Sequence, residues 1–253
     1  MEWYIILAVI GIGFLAGFIN TLAGSGSLLS LPMLIFLGLP ANIANGTNRI
    51  AILLQNAVAS GSFHKQKVLD TKIGFRLAIP AILGSILGAN IAVELDASAV
   101  KTIIGILLIL MFFLLLLKPS AWIKGKANEL TKETKLSFWQ YVIFFFIGIY
   151  GGFIQAGTGL FLLAGLVLGS GLDLVKANAV KVFIAFAFTI FALIIFMYNS
   201  QVDYKIGLIL AVGNMSGAFV ASKFAVSWGA KFVRYVLLFV LLGSAVKIIY
   251  DIF

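Results

Sequence analysis

The chain reads as an all-α, polytopic helical membrane protein made of two inverted repeats of about five segments each, with short broken helices. Three observations predict this: only 11% of residues are charged while 62% are apolar, apolar runs are long enough to cross a bilayer, and a residue pattern recurs 133 positions on. Soluble domains carry roughly 25% charged residues. With a mean hydropathy of +1.14, these 253 residues cannot clothe a water-soluble globule in polar groups. A soluble enzyme, a nucleic-acid binder and a disordered tail are excluded as the main reading.

Apolar runs lie near 4–22, 26–38, 44–62, 73–93 and 99–117, then near 138–155, 158–170, 178–197, 205–223 and 234–250. Eight are long enough for a core of roughly 30 Å at about 1.5 Å per residue. Runs 26–38 and 158–170 are not, which predicts half-helices buried inside the protein. Met1-Glu2-Trp3 lacks the basic start of a cleaved signal peptide, so the first run is expected to be a retained helix. The net charge of +9 sits mostly in short connections. With the N-terminus outside and every run changing sides, 13 of the 18 Lys and Arg lie inside, including Lys65, Lys67, Lys72, Arg76, Lys118 and Lys176. This places both termini outside and predicts a multi-pass membrane protein.

A shift of 133 lays Ala23-Gly24-Ser25-Gly26 on Ala156-Gly157-Thr158-Gly159, Gly38-Leu39 on Gly171-Leu172, and Ala44-Asn45 on Ala177-Asn178. It also lays Asp70, Lys72, Ile73 and Gly74 on Asp203, Lys205, Ile206 and Gly207. Shared composition does not explain Asp-x-Lys-Ile-Gly in register. The organisation expected is a first transmembrane repeat at 1–117, a cytoplasmic linker at 118–137 and a second repeat at 138–253. Five crossings per half invert the second repeat, the plan of many secondary transporters, whose substrate sits at the repeat interface near the midplane.

Each half has a long helix, a small-residue break and a short helix. The breaks, Ala23-Gly24-Ser25-Gly26-Ser27 and Ala156-Gly157-Thr158-Gly159, put helix N-termini, close backbone approach and hydroxyls where an anion could bind. Asn45-Gly46-Thr47-Asn48-Arg49 lies opposite Asn178-Ala179-Val180-Lys181. A cation inside an apolar run costs roughly 2.5–3.5 kcal/mol on insertion scales and is retained for a reason, although both cations are near enough to run ends to snorkel. Asn20, Gln55, Asn56, Gln155 and Asn214 are further polar residues within runs; Asp70, Glu94, Asp96 and Asp203 lie only at ends or connections. A lining of cations, amides and hydroxyls without buried acids selects an anion. The expected substrate-binding set is Ser25, Gly26, Ser27, Asn45, Thr47, Asn48, Arg49, Gln155, Gly157, Thr158, Gly159, Asn178 and Lys181. With one His and no Cys, neither a metal site, a catalytic residue nor a cofactor is expected. His64 reads as a solvated loop residue.

Gly17-Phe18-Ile19 before the first break, Pro32, Gly38-Leu39-Pro40 and Ala44-Asn45-Gly46-Thr47-Asn48-Arg49 resemble the first half-motif of the TauE/SafE family. Gly151 to Gly159 and Lys176-Ala177-Asn178-Ala179-Val180-Lys181-Val182 are similar to its second. The likeness covers nearly the whole chain outside the linker. It implies an inner-membrane transporter of small sulfur-containing or carboxylated anions: sulfite, sulfonates, sulfoacetate or thiosulfate. The first break is less glycine-rich than is common in that family, and Val180 stands where it often has a hydroxyl.

The expected function is therefore a secondary transporter, not an enzyme, in which one half rocks against the other. An anion channel and a membrane scaffold or partner subunit without transport are the competing readings. The expected partners are a small anion and the lipid bilayer, and no nucleic acid; a proton or a sodium ion as coupling ion, and a homodimer, are left open.

Overall fold

The computed structural model describes residues 2–100 and 136–228, together with 102, 103, 106 and 235. The predicted linker, and most of the fifth and tenth predicted runs (99–117 and 234–250), lie outside the described residues. Within them the chain is helical: α1 (Trp3–Ala23), α2 (Ser27–Phe36), α3 (Ala41–Lys65) and α4 (Thr71–Glu94), then α5 (Phe138–Phe153), α6 (Thr158–Ala164), α7 (Leu174–Tyr198) and α8 (Tyr204–Ser227). Each expected run in these stretches is a helix. One detail differs: the second short run is α only to Ala164 and then continues as one π turn, Gly165–Gly169. Helices α1, α4, α7 and α8 are long and apolar enough to cross a membrane. The 25-residue α3 is long enough but more polar; Asn45, Asn48, Arg49, Gln55 and Asn56 are all buried along it. The protein is a multi-pass helical membrane protein.

The repeat is written in the backbone. All six described residues with positive φ form three pairs 133 apart: Gly24 (77°) with Gly157 (73°), Gly38 (93°) with Gly171 (68°), and Lys67 (60°) with Ser200 (56°). Asp-x-Lys-Ile-Gly recurs for a physical reason. Asp70 and Asp203 cap α4 and α8, their carboxylates accepting from the Ile73 and Ile206 amides at 3.0 and 2.9 Å. A Cβ on Gly74 would strike Phe183 of α7, and one on Gly207 would strike Ile50 of α3, the equivalent position.

Helix directions follow from the same contacts. Thr47, Gln55 and Ser62 of α3 bond Asp203, Asn214 and Ser222 in turn, so α3 and α8 run parallel. Gly13 faces Leu210 and Gly17 faces Asn214, making α1 parallel to α8. Gly84 with Phe145 and Gly88 with Ile149 make α4 parallel to α5, while Gly74 with Phe183 and Ser85 with Phe188 make α4 parallel to α7. Across the seam, Gly46 and Arg49 of α3 meet Phe196 of α7, whereas Ile52 and Asn56, further along α3, meet the space beside Phe188 and Ala185. Thus α3 and α7 are antiparallel. Helices α1, α3 and α8 point one way and α4, α5 and α7 the other, so equivalent helices of the two halves are inverted.

Each half lends its first helix to the other: α1 packs chiefly on α8, and α5 on α4. Both seams use glycines four apart, Gly13/Gly17 against Gly213/Gly217 and Gly84/Gly88 against Gly148/Gly152, where any Cβ would enter the partner's backbone. Such small-residue stripes allow close packing where lipid supplies no hydrophobic drive between helices. Gly84→Leu and Gly217→Leu are expected to abolish the folded state or lower its thermal midpoint by many degrees. Gly11→Leu, at a site with nothing within 4 Å, is expected to leave it within a degree or two. Equal midpoints for all three in detergent would refute this packing.

Candidate functional site: the two helix breaks

Each long helix and its short successor form a hairpin whose tip is buried. Gln140, in the first turn of α5, donates from Nε2 to Ser170 Oγ at 2.7 Å, so the short segment returns to the face where α5 began. Sixteen residues make α5 only about 24 Å long, so its tip ends within a core of roughly 30 Å. In the first hairpin α2 packs back against α1, and Val9 and Leu34 belong to one core cluster. The tips touch backbone to backbone: a Cβ on Gly24 would enter Gly159, and one on Gly159 would enter Gly24. Both tips turn through a left-handed glycine, Gly24 or Gly157, where a side chain would add strain.

Helices that stop inside a membrane leave carbonyls without water or lipid partners. Here a cation of the opposite half supplies them. Lys181 of α7 donates to the Asn20 and Thr21 carbonyls at the end of α1 (3.0 and 2.9 Å) and to Asn178 Oδ1 (2.6 Å). Arg49 of α3 donates to the last turn of α5: Nη1 to Gly151 (3.1 Å), Nη2 to Gly152 (2.6 Å) and Phe153 (3.3 Å). Asn45 Nδ2 adds a bond to the Phe153 carbonyl at 2.8 Å. The guanidinium also lies 4.4 Å from the centre of the Phe196 ring, a cation–π contact. Arg49 is fully buried and Lys181 is 2% exposed, yet no carboxylate is buried among the described residues. Among the described residues the one ion pair is Lys176–Asp173, on the surface.

Between the tips is a cavity lined by Asn20, Ser27, Ile52, Asn56, Gln155, Thr158, Gly159, Leu162, Lys181, Ala185 and Phe188. Its volume of about 20 Å³ suits one ordered water. Two amides facing it have a spare atom: Asn56 Nδ2 and Gln155 Oε1 lack a partner. Gln155 Nε2 bonds Thr189 Oγ1 at 2.7 Å. Turning that amide over keeps the bond, the hydroxyl then donating, and presents an N–H to the cavity. Asn56 is braced by Gln55 Nε2 at 3.4 Å, and Gln55 in turn accepts from Asn214 at 3.1 Å.

Of the residues expected from sequence, Ser27, Gln155, Thr158, Gly159 and Lys181 line this cavity. Ser25, Gly26 and Gly157 build the tips; Ser25 Oγ is buried without a partner. Asn45, Arg49 and Asn178 serve the tip carbonyls and their cations. Asn48 accepts from Ser30 of α2 at 2.7 Å. Thr47 is turned away and accepts from the Asp203 amide at 2.8 Å, tying α3 to the loop before α8. The short helices expose fewer free amides than expected, because Leu28, Leu29 and Ser30 already donate to Ser25 and Gly26, and Leu160 to Gly157. Asn20 and Asn56 complete the polar part of the lining; their signal was polarity within an apolar run. His64, read as a loop residue, is exposed in the last turn of α3.

Comparison with known proteins agrees with this architecture. The profile of the family described as Sulfite exporter TauE/SafE matches residues 9–248. The chain belongs to the TauE/SafE family. Similar relatives include Probable membrane transporter protein ORF9 of Sinorhizobium sp., 29% identical over 94% of this chain and 90% of the relative. Another, from Haemophilus influenzae and also named Probable membrane transporter protein, is 26% identical over 95% and 92%. Probable membrane transporter protein YfcA of Escherichia coli K12 is 29% identical over 95% and 88%. No solved structure matches. These relatives make the TauE/SafE chain a membrane transporter by kinship.

Arg49→Met strips donors from three carbonyls, and an unsatisfied buried acceptor costs roughly 1–3 kcal/mol. The thermal midpoint is expected to fall by several degrees, and Arg49→Lys to recover only part, since an ammonium lacks the fork that spans successive carbonyls. A fully stable Arg49→Met protein would show that the α5 end does not need the Arg49 donors, Asn45 sufficing.

Proposed function

We propose that the protein is a secondary transporter of the cell inner membrane that carries small anions, foremost sulfur oxyanions such as sulfite, thiosulfate, sulfonates or sulfoacetate, by alternating access. The observation that carries the proposal is a buried core with two cations, a cavity lined by amides and hydroxyls, and no buried carboxylate among the described residues. Uncompensated buried charge is costly, and an anion between the tips would offset it. The sulfur comes from the family's description, Sulfite exporter, and a carrier rather than an enzyme is the reading consistent with the relatives' names.

Arg49 and Lys181 act less as ligands than as masks. Each hairpin tip joins the C-terminus of a long helix, about −0.5 charge, to the N-terminus of a short one, about +0.5. An anion would be repelled by the first. With that end neutralised by a cation from the other half, the local field is the one the substrate needs. Lys181 does both jobs, because it also borders the cavity. The direct ligands in this reading are Ser27, Asn56, Gln155 and Thr158, with Lys181 nearby.

The cavity as it stands holds a water more readily than a sulfite ion, so loading requires the tips to part. In this reading the moving bodies are two three-helix units rather than the two sequence halves. The glycine seams bind α1 to α8 and α4 to α5, while α3 packs on α8 and α7 on α4, giving α1, α3 and α8 as one unit and α4, α5 and α7 as the other. Asn20, Ile52 and Asn56 face the cavity from the first unit, and Gln155, Lys181, Ala185 and Phe188 from the second.

Purified protein in liposomes is expected to show saturable uptake of labelled sulfite or a sulfonate, with counterflow. Steady conductance without counterflow would mark a pore, and transport of cations or neutral solutes only would refute the anion site. Asn56→Leu, which deletes a donor to a charged ligand worth about 1.5–3 kcal/mol, is expected to weaken anion affinity roughly ten-fold or more. Unchanged half-saturation in a folded Asn56→Leu protein would remove this residue from the site.

A further inference from the structure

Broken-helix transporters use carbonyls at helix ends to hold a coupling metal cation near the substrate. In this chain both such ends are already occupied. Three oxygens, the Asn20 and Thr21 carbonyls and Asn178 Oδ1, converge on the Lys181 ammonium at 2.6–3.0 Å. The hydroxyl of Thr21, the residue that supplies one of these carbonyls, is buried without a partner. These are neutral hard oxygens around a compact monovalent charge, the donor set an alkali ion takes when its water is stripped away. At the other tip the Gly151, Gly152 and Phe153 carbonyls converge on Arg49.

We infer that Lys181 and Arg49 are tethered cations standing in the coupling-ion positions of this architecture, so that transport does not require sodium, and that removing the Lys181 ammonium leaves a sodium-binding site at the end of α1. The transport half of the inference deepens the function proposed above. The sodium-binding half does not rest on it, because it concerns the oxygens around Lys181 alone. The two tips differ: the α1 oxygens are arranged about one point, whereas the α5 carbonyls are spread along a planar fork. The vacated α1 site is therefore the one that fits a spherical ion.

The test uses the full-length protein in detergent, with unfolding midpoints followed across a sodium chloride series in which choline chloride keeps the ionic strength fixed. The wild-type midpoint is expected not to respond to the exchange. That of Lys181→Met is expected to start lower and rise by several degrees as sodium saturates its site. Adding Thr21→Val to Lys181→Met should reduce that rise. A saturable sodium-specific shift in the wild type, or its absence in folded Lys181→Met, would overturn the inference. If Lys181→Met does not fold in either salt, Lys181→Gln is measured in the same way, and wild-type anion uptake with all sodium replaced by choline gives a second reading. Uptake reduced ten-fold or more in choline would overturn the inference; undiminished uptake supports it. If no anion is carried at all but the midpoints behave as stated, the sodium-binding half stands and the transport reading falls.

Discussion

Ending a helix inside a bilayer is the constraint on which this structure depends. The last carbonyls of α1 and α5 cannot turn to solvent or to lipid, so each needs donors from within the protein. Lys181 and Arg49 provide them from the opposite half. Two features follow from that exchange. The halves must interlock, since neither can satisfy its own broken helix with its own cation. The tips must also lie close together, because a lysine or arginine side chain reaches only a few ångströms; the Gly24–Gly159 contact is the result.

Pseudo-symmetry builds the frame, and departures from it shape the site. Asn45 and Asn178 are equivalent under the 133-residue shift, but Lys181 falls on Asn48 while Arg49 falls on Val182. One helical position is a rotation of about 100°, and the longer guanidinium still reaches the facing carbonyls. The larger departure concerns the walls. Gln55, Asn56 and Asn214 form an amide chain on one side of the cavity, and their counterparts are Phe188, Thr189 and Ala81. The cavity thus meets Asn20 and Asn56 on one side, and Gln155, Lys181 and the Phe188 ring on the other.

Much of the frame was legible in the sequence, because the repeat is carried by residues with local jobs. Asp70 and Asp203 are caps, Gly24 and Gly157 are left-handed turns, and Gly38 and Gly171 end the short segments with the same backbone geometry. Local requirements leave local signatures. The candidate site was legible in its residue types but not in its wiring. The partners of Lys181 lie 160 and 161 positions away, and those of Arg49 lie 102 to 104 away. No spacing rule indicates which carbonyl a buried cation will meet. Thr47 illustrates the same limit: it sits within the polar cluster Asn45 to Arg49, yet its turn of α3 faces the loop before α8. The π turn after Ala164 has no sequence mark beyond its flanking glycines, Gly165 and Gly169, the latter lying against Gln140.

The two cations also lie at different heights along the seam. Arg49 is near the start of α3 and the end of α7, beside Phe196, while Lys181 is near the start of α7, beside the end of α1. Both bridge the two three-helix units: Lys181 joins α7 to α1, and Arg49 joins α3 to α5. A rocking motion about the antiparallel α3–α7 contact widens one end of the seam while narrowing the other. It therefore strains one bridge and compresses the other, so the two cannot open together without leaving both helix ends unsatisfied in the bilayer. The desolvation cost that each bridge relieves in the folded state would then also oppose a state open to both sides at once, which is the condition separating a carrier from a pore.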